Sequence, residues 1–119
     1  MKVAVSAQGG ELSSLVDARF GRAPWFIIAD TESEDFLAVE NTQNLNAPQG
    51  AGIQAAQTVA NQDVKAVLTG HCGPKAFRVL TQAGIKLYVG VEGKVSDALE
   101  QLKAGTLQES VGADVEGHW

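Results

Sequence analysis

Residues 64–89, VKAVLTGHCGPKAFRVLTQAGIKLYV, decide the fold. Val64–Thr69 and Ile85–Val89 are short apolar runs, which is typical of strands in a buried sheet. Between them, Pro74 suits the first position of a helix, and apolar residues recur at helical spacing as far as Gly84. A strand, a helix and a second strand in this order predict parallel strands joined by a crossover helix, so we expect an α/β fold.

On the amino-terminal side of this unit, three further apolar runs predict strands that form a meander. The runs are Lys2–Gln8, Trp25–Ala29 and Phe36–Val39. Residues 11–23 lack clean periodicity and are predicted to form a long loop, with one helical turn near Ser13–Asp17. Long loops in compact domains are usually functional when they are ordered.

Two more helices complete the pattern. One is predicted from Gly50 to about Asn61, and a last one ends at Gly105 after apolar residues at helical spacing. The order β-β-β-α-β-α-β-α predicts a single α/β domain with a mixed five-stranded sheet in the order 3-2-1-4-5, flanked by helices. We expect this domain to span residues 1–107 and residues 108–119 to form a flexible tail.

Composition limits the classes of function. A chain of 119 residues with 45% hydrophobic residues is long and apolar enough to fold as one domain without a disulfide or a metal. No apolar run approaches ~18 residues, so we expect no membrane span. A net charge of −5 argues against nucleic-acid binding by charge. The single cysteine cannot form an internal disulfide, which fits a cytoplasmic location, and we expect a monomer or a weak dimer.

The predicted strand order places a ligand site at one edge of the sheet. The order of the strands reverses between strands 1 and 4, and ligands of open α/β sheets bind beyond the carboxyl ends of the strands at such a point. Basic residues outnumber acidic ones in residues 1–22 and 65–103, whereas residues 23–64 contain no basic residue. An anionic ligand would therefore bind to the first and third of these segments. The segments predicted at this edge are residues 6–10, 19–24, 41–52 and 70–75.

Residues 70–75, Gly-His-Cys-Gly-Pro-Lys, carry the most distinctive chemistry. Free backbone N–H groups and the dipole at a helix start favour an anion, and Lys75 and Arg78 add positive charge. His71 offers a nitrogen and Cys72 a sulfur, which suit soft or borderline metals. The alternative is a buried structural cysteine beside a solvent-exposed histidine. Two ligands alone make no closed metal site, since such a site needs about four.

Two other segments complete the candidate site. Arg19 and Arg22 could reach an anion at this edge or could form surface ion pairs with Asp17 or Glu11. The backbone amides of Gly50-Ala51-Gly52 could face an anion, or these glycines could serve ordinary packing. The phosphate loop GxxxxGK[ST] is absent, which excludes ATP hydrolysis by that route. The candidate ligand-binding residues are Arg19, Arg22, Gly50, Gly52, Gly70, His71, Cys72, Gly73 and Lys75, with His71 and Cys72 as candidate metal ligands.

Two enzyme classes can be tested on the sequence. A two-metal nuclease needs carboxylates on the first strand, and Val3–Ser6 contains no aspartate or glutamate. A cysteine–histidine hydrolase would need a base aimed at Cys72, but His71 is adjacent on a tight turn and His118 lies in the predicted tail. We therefore expect a protein that is not an enzyme.

Four motifs resemble one known family. They are residues 19–26 (RFGRAPWF), 50–52 (GAG), 70–76 (GHCGPKA) and 83–85 (AGI). In order and spacing they are similar to the dinitrogenase iron–molybdenum cofactor biosynthesis family, from residue 1 to about residue 107. The resemblance implies a ribonuclease-H-like α/β sheet and the carriage of iron–molybdenum cofactor precursors.

Short members of that family contain a Gly-His-Cys-Gly-Pro-Lys segment like residues 70–75. Resemblance to them implies a more specific function, the non-covalent binding of a mixed molybdenum–copper sulfide cluster, with an iron–molybdenum precursor as the alternative cargo. Partners implied in the same way are P-loop ATPases of the chromosome- and septum-positioning type. An anionic cluster would be held by helix starts and by Arg19, Arg22, Lys75 and Arg78. The other class of function is a regulatory module that binds a protein at the same edge.

Overall fold

A computed structural model describes residues 1–41 and 51–110 of the chain. It contains five strands and three helices in the predicted order. They are β1 (Lys2–Ala7), β2 (Trp25–Asp30), β3 (Phe36–Glu40), α1 (Ala51–Ala60), β4 (Ala66–Leu68), α2 (Pro74–Gln82), β5 (Lys86–Tyr88) and α3 (Val95–Ala104). Within the described ranges no helix is long and apolar enough to cross a bilayer.

The strand order of the sheet, β3-β2-β1-β4-β5, confirms the prediction. β1 is the central strand and runs antiparallel to β2, with Val5 opposite Ile27. It runs parallel to β4, with Val5 opposite Leu68. Because β2 and β3 lie on one side of β1 and β4 and β5 lie on the other, the strand order reverses between β1 and β4, as predicted.

Each face of the sheet carries its own apolar core. Side chains alternate along a strand, so Ala4 packs with α1 and α2, while Val3 and Val5 pack with α3. On the first face, Phe20 and Phe26 are fully buried, with ring centroids 5.3 Å apart. Burying a side chain of this size contributes about 1.5–3 kcal/mol, which makes these two rings a main attachment of the 17–20 segment to the sheet.

The helix α2 begins and ends where its sequence predicts. Pro74 occupies the first turn, where its missing N–H costs nothing. At the other end, Gly84 has a φ of +76°, a left-handed conformation that favours glycine. Its N–H donates to Thr81 O (3.0 Å) and that of Ile85 donates to Leu80 O (2.9 Å), which closes the helix as a Schellman motif.

Two regions differ from the sequence prediction or extend it. The helical turn predicted within residues 13–17 is wrong, because Val16 instead bridges Ala7 and Leu15 bridges Lys94 in strand-like pairs. At the carboxyl-terminal end, Glu109 bridges Tyr88, and Ser110 N–H donates to Leu87 O (2.7 Å). The first residues of the predicted tail thus pair with β5, while residues 111–119 lie outside the described residues.

Candidate functional site

The loop after β4 forms backbone hydrogen bonds with residues 18–20, which belong to the long loop between β1 and β2. His71 N–H donates to Ala18 O (2.7 Å), and Phe20 N–H donates to His71 O (3.2 Å). Together these bonds form a short parallel bridge between Arg19 and His71. Two of the predicted site residues, which are 52 positions apart in the chain, are thereby adjacent at the carboxyl edge of the sheet.

Gly70 makes this approach possible. A Cβ at this position would lie 2.7 Å from the Ala18 Cα and 2.8 Å from the Ala18 carbonyl oxygen. Such contacts are far shorter than van der Waals distance and involve backbone atoms, which cannot swing aside. The sequence marked Gly70 as a turn residue, and the structure gives its physical reason as close contact between two backbones.

Asp17 holds Arg19 in place. The ion pair between them is the alternative that the sequence analysis left open for Arg19, whereas the hydrogen bond from the Arg19 backbone was not predicted. The Asp17 Oδ1 accepts a hydrogen bond from Arg19 N–H (2.8 Å) and lies 3.5 Å from Arg19 Nε. The Asp17 side chain is 6% exposed, whereas that of Arg19 is 50% exposed. The carboxylate therefore fixes the turn from beneath while the guanidinium stays accessible. Aspartate side chains often accept a hydrogen bond from the backbone N–H two residues later, and this local pattern could have predicted the bond between Asp17 and Arg19.

A buried pair of hydroxyl groups joins β1 to the end of β4 below this loop. Ser6 Oγ donates to Asp17 O (2.8 Å) and lies 2.7 Å from Thr69 Oγ1. Because Ser6 has one hydroxyl proton, Thr69 must be the donor of the second bond. Both residues are fully buried, so this chain of hydrogen bonds ties the 17–20 segment to the point between β1 and β4 where the strand order reverses.

Asn41 anchors the segment that contains Arg22. Its Nδ2 donates to Ala23 O (2.9 Å) and its N–H donates to Pro24 O (2.8 Å). Asn41 is fully buried and Arg22 is half-buried. The sequence placed Asn41 in a polar loop, because nothing local shows that it closes the gap between the ends of β2 and β3.

The predicted ligand pair is divided between the surface and the core. His71 is half-buried at the loop, whereas Cys72 is fully buried and belongs to the apolar cluster that includes Phe20 and Ala76. The Cys72 Sγ contacts Gly73 O at 3.6 Å. Within residues 1–41 and 51–110, no three histidine, cysteine, aspartate or glutamate residues form a group that could hold a metal ion.

Three of the remaining predicted residues, Gly52, Gly73 and Lys75, lie at helix starts. Gly73 is the extended N-cap of α2 and supplies no side chain to cap it, and Lys75 is exposed in the first turn. Gly52 is half-buried in the first turn of α1, and Gly50 lies outside the described residues. The amino end of a helix favours negative charge, so α2 adds to the positive potential of Arg19.

Together, the mixed sheet and the paired loops define a small single-domain α/β protein whose basic loops meet where the strand order reverses. The sequence model of the dinitrogenase iron–molybdenum cofactor family matches residues 1–105, and the chain belongs to that family. The resemblance of the four sequence motifs is thereby confirmed. Membership points to cofactor binding or carriage more than to catalysis.

Solved structures give the same result for the fold. The apo form of the orange protein from Desulfovibrio gigas superimposes with a TM-score of 0.93, at 38% identity over 96% of both chains. A NifB-like protein from Thermotoga gives a TM-score of 0.83, at 35% identity over 98% of both chains. In sequence, an uncharacterized protein of Methanocaldococcus jannaschii is 30% identical over 92% of this chain and 91% of its own length. The chain thus matches its relatives over nearly their full lengths.

Proposed function

We propose that this protein binds and carries an anionic molybdenum-containing metal–sulfide cluster, without catalysing a reaction. A mixed molybdenum–copper sulfide cluster is the proposed cargo, and the carboxyl edge between β1 and β4 is the proposed site. The observation that carries the proposal is the bridge between Arg19 and His71. It joins the basic segment that follows β1 to the loop that opens α2.

Charge is the proposed basis of binding. Metal–sulfide clusters of this kind are anionic, and Arg19, Arg22 and Lys75 belong to segments with an excess of basic residues. Arginine and lysine side chains form strong charge-assisted hydrogen bonds, and the start of α2 adds the partial positive charge of its backbone. In this proposal, the backbone amides of Gly50, Gly52 and Gly73 also donate hydrogen bonds to the cluster.

The donor set of the described residues fits non-covalent binding better than a closed coordination shell. His71 is the one candidate ligand of that set at the loop surface, and Cys72 contributes its sulfur to the apolar core. A buried cysteine acts as a small hydrophobic residue. We propose that Cys72 forms the floor beneath the cluster, that His71 contacts it, and that apolar walls slow its hydrolysis.

An iron–molybdenum cofactor precursor is the second candidate cargo. It is favoured by the family description and by the similarity to a NifB-like protein. The same basic edge would hold either cluster, because both are anionic. We also propose that the protein acts in the cytoplasm and that its partners are P-loop ATPases of the chromosome- and septum-positioning type.

Metal analysis with an absorption spectrum tests the proposal. The protein is purified without oxygen, mixed with tetrathiomolybdate and copper, and desalted. We expect stoichiometric molybdenum and copper with visible charge-transfer bands that persist through desalting. A parallel sample with molybdenum, iron and sulfide tests the second cargo.

Matched charge variants test the site. Arg19→Gln and Lys75→Gln each remove one positive charge at the proposed edge, and we expect a lower metal content in both. Lys86→Gln removes the same charge at the start of β5, on the opposite edge of the sheet, and should retain its metal. A colourless protein that retains neither metal set would overturn the carrier function and favour the regulatory module. Equal loss in all three variants would overturn the choice of site.

A further inference from the structure

The strand β3 forms an open margin of the sheet. Within residues 1–41 and 51–110, β3 pairs only with β2. The opposite margin is different, because Glu109 and Ser110 pair with β5. One margin is thus covered by the chain's own carboxyl-terminal segment, and the described part of the chain leaves the other accessible.

The register shows which backbone groups of β3 point outward. Asn41 N–H donates to Pro24 O (2.8 Å) and Asp30 N–H donates to Asp35 O (3.3 Å), so the odd-numbered residues of this segment bond to β2. In an antiparallel pair, the residues between two bonded positions direct their N–H and C=O groups away from the partner. The outward-facing residues are Phe36, Ala38 and Glu40.

Within residues 1–41 and 51–110, nothing gives this margin the usual protection of an edge strand. Natural sheets guard their edges with lysine, proline, bulges or very short strands. β3 pairs with β2 residue for residue over its whole length, and it contains neither lysine nor proline. Phe36 and Leu37, 40% and 54% exposed, add apolar surface on its two faces. The strand is therefore suited to accept another strand.

Charge determines what kind of strand would bind. Acidic residues lie at both ends of β3, and residues 23–64 contain no basic residue. The centred antiparallel pair of two copies would place Glu40 opposite Phe36 and Asp35 opposite Asn41, so no carboxylate would directly face another. Every charged residue of β3 and of the turn before it is nevertheless acidic. Two copies would therefore bring charges of one sign close together, whereas a cationic segment would be attracted to this margin.

A groove beside Phe36 fits the side chains of such a segment. Its volume is about 330 Å³, and it lies between α3 and the turn that joins β2 to β3. Its floor is apolar and its rim is mainly acidic, although Lys103 also lines it and lies 3.4 Å from Glu100. A lysine or arginine could lay its apolar stem on the floor and place its charge at the rim. The floor is Leu12, Ala29 and Leu99, and the acidic rim is Asp30, Glu34 and Glu100.

We propose that β3 binds an extended cationic segment of another protein, which adds to the sheet as a sixth strand. The outward groups of Phe36, Ala38 and Glu40 supply the backbone bonds, and the acidic groove takes a lysine or arginine side chain. Main-chain bonding with side-chain pockets is a known mode of peptide recognition. This proposal does not depend on the cargo of the carboxyl edge.

A labelled peptide tests the proposal. The probe is a nine-residue peptide of alternating lysine and valine, with an alternating glutamate and valine peptide as its control. We expect fluorescence anisotropy to show saturable binding of the lysine peptide alone, weakened at least fivefold between 50 and 200 mM salt. Amide shift changes in NMR spectra should centre on β3 and β2.

Two variants separate strand addition from charge attraction. Ala38→Pro removes an outward N–H without removing a bond to β2, and proline is tolerated at such an edge position. We expect at least tenfold weaker binding with an unchanged fold. Glu40→Gln should weaken binding severalfold, whereas the exposed Glu92→Gln, beyond β5, should not.

If Ala38→Pro fails to fold, a lysine–valine peptide that is N-methylated at alternate residues gives the same test, because it removes the backbone N–H groups of the peptide. Unchanged binding by the Ala38→Pro protein or by the methylated peptide would overturn the proposal, and so would amide chemical shift changes centred on α2. So would sedimentation showing a dimer of the free protein that Ala38→Pro dissociates, since a second copy would then occupy the margin. Release of the chain's own residues 111–119 from β3 by the peptide would overturn it in favour of an internal occupant.

Discussion

Gly70 and Ala18 are in such close contact that a Cβ on Gly70 would lie 2.7 Å from the Ala18 Cα. This contact sets the distance between the loop after β4 and the segment that carries Arg19. Because the Ala18 atoms that it meets belong to the backbone, any side chain at position 70 must separate the two segments. The geometry of the proposed site therefore depends on a glycine that contributes no functional group.

Gly70→Ala should weaken both the fold and the site. Overpacking of this kind costs about 1–3 kcal/mol, and the hydrogen bond from His71 N–H to Ala18 O would lengthen as the segments move apart. We expect a lower urea midpoint and a reduced molybdenum content after reconstitution. Chemical denaturation and metal analysis of the same preparation provide both measurements.

Gly105→Ala is the matched control for this variant. Gly105 has a φ of +75° with nothing near its missing side chain, and it ends α3 at the opposite edge of the sheet. An alanine there is strained by about 1–2 kcal/mol without disturbing the 17–20 segment. We expect reduced stability with normal metal retention. Equal loss of metal in both variants would show that stability, and not the contact with Ala18, controls retention.

Variants of Cys72 test whether its buried sulfur only packs beneath the proposed cluster or is needed for metal uptake. Cys72→Ala removes a buried sulfur and should cost about 1 kcal/mol or more, depending on how far the core relaxes. Cys72→Ser places a hydroxyl in the same apolar cluster and should cost about 1–3 kcal/mol. If the sulfur forms only the floor of the site, both variants retain metal when assayed below their unfolding transitions. A folded Cys72→Ala protein that takes up no metal would contradict this role.

The sequence predicted the sheet well because its signals are local and repeated. The run from residue 64 to 89 contains a complete strand–helix–strand unit, and Gly84 ends α2 by a left-handed conformation that few other residues adopt. Topological rules then leave few ways to add the three-stranded meander. The order of the strands followed from these constraints before any distance was known.

The interior of the site could not be predicted in the same way. Cys72 and His71 are neighbours in sequence, yet one belongs to the core and the other to the loop surface, because alternation of side chains in a turn follows no fixed period. Asp17 and Asn41 are polar residues in apparent loops, and their burial depends on contacts with distant backbone groups. Such contacts are set by tertiary structure, which a one-dimensional pattern does not record.

Asp30 should titrate at lower pH than an ordinary aspartate. Its Oδ1 accepts a hydrogen bond from Glu32 N–H (2.9 Å) and lies 3.2 Å from the amino terminus, and both interactions lower the pKa of the carboxyl group below 3.8. A lowered pKa in the folded state stabilises the fold above the pKa of the unfolded chain, and that contribution is lost as the pH falls through the folded value.

A carbon-detected NMR titration measures this pKa directly. We expect a midpoint below 3.8 for Asp30, and we expect Asp30→Asn to unfold with a shallower dependence on pH in this acidic range. The exposed Glu34 provides the comparison, since Glu34→Gln should keep the dependence that Asp30 supplies. A midpoint at or above 3.8 for Asp30 would contradict the hydrogen bond at the β2–β3 turn.

Two variants of Asp17 distinguish the effect of the position of Arg19 on metal retention from the effect of the net charge of the site. Asp17→Ala removes the acceptor of Arg19 N–H, and an unsatisfied donor in this setting costs about 1–3 kcal/mol. Asp17→Asn keeps an oxygen acceptor at the same place but removes a negative charge 3.5 Å from Arg19 Nε. For an anionic cargo, the asparagine variant should therefore retain metal at least as well as the unmodified protein, and the alanine variant should retain less.

Metal content as a function of salt distinguishes the two effects of Asp17. Screening by salt weakens charge attraction, so retention by Asp17→Asn should survive to a higher salt concentration than retention by the unmodified protein. The alanine variant should lose metal even at low salt, because its Arg19 segment is no longer held against the loop that carries His71. If the asparagine variant loses metal as readily as the alanine variant, the ionised carboxylate is itself required to orient the guanidinium, and attraction by net charge is not what holds the cluster.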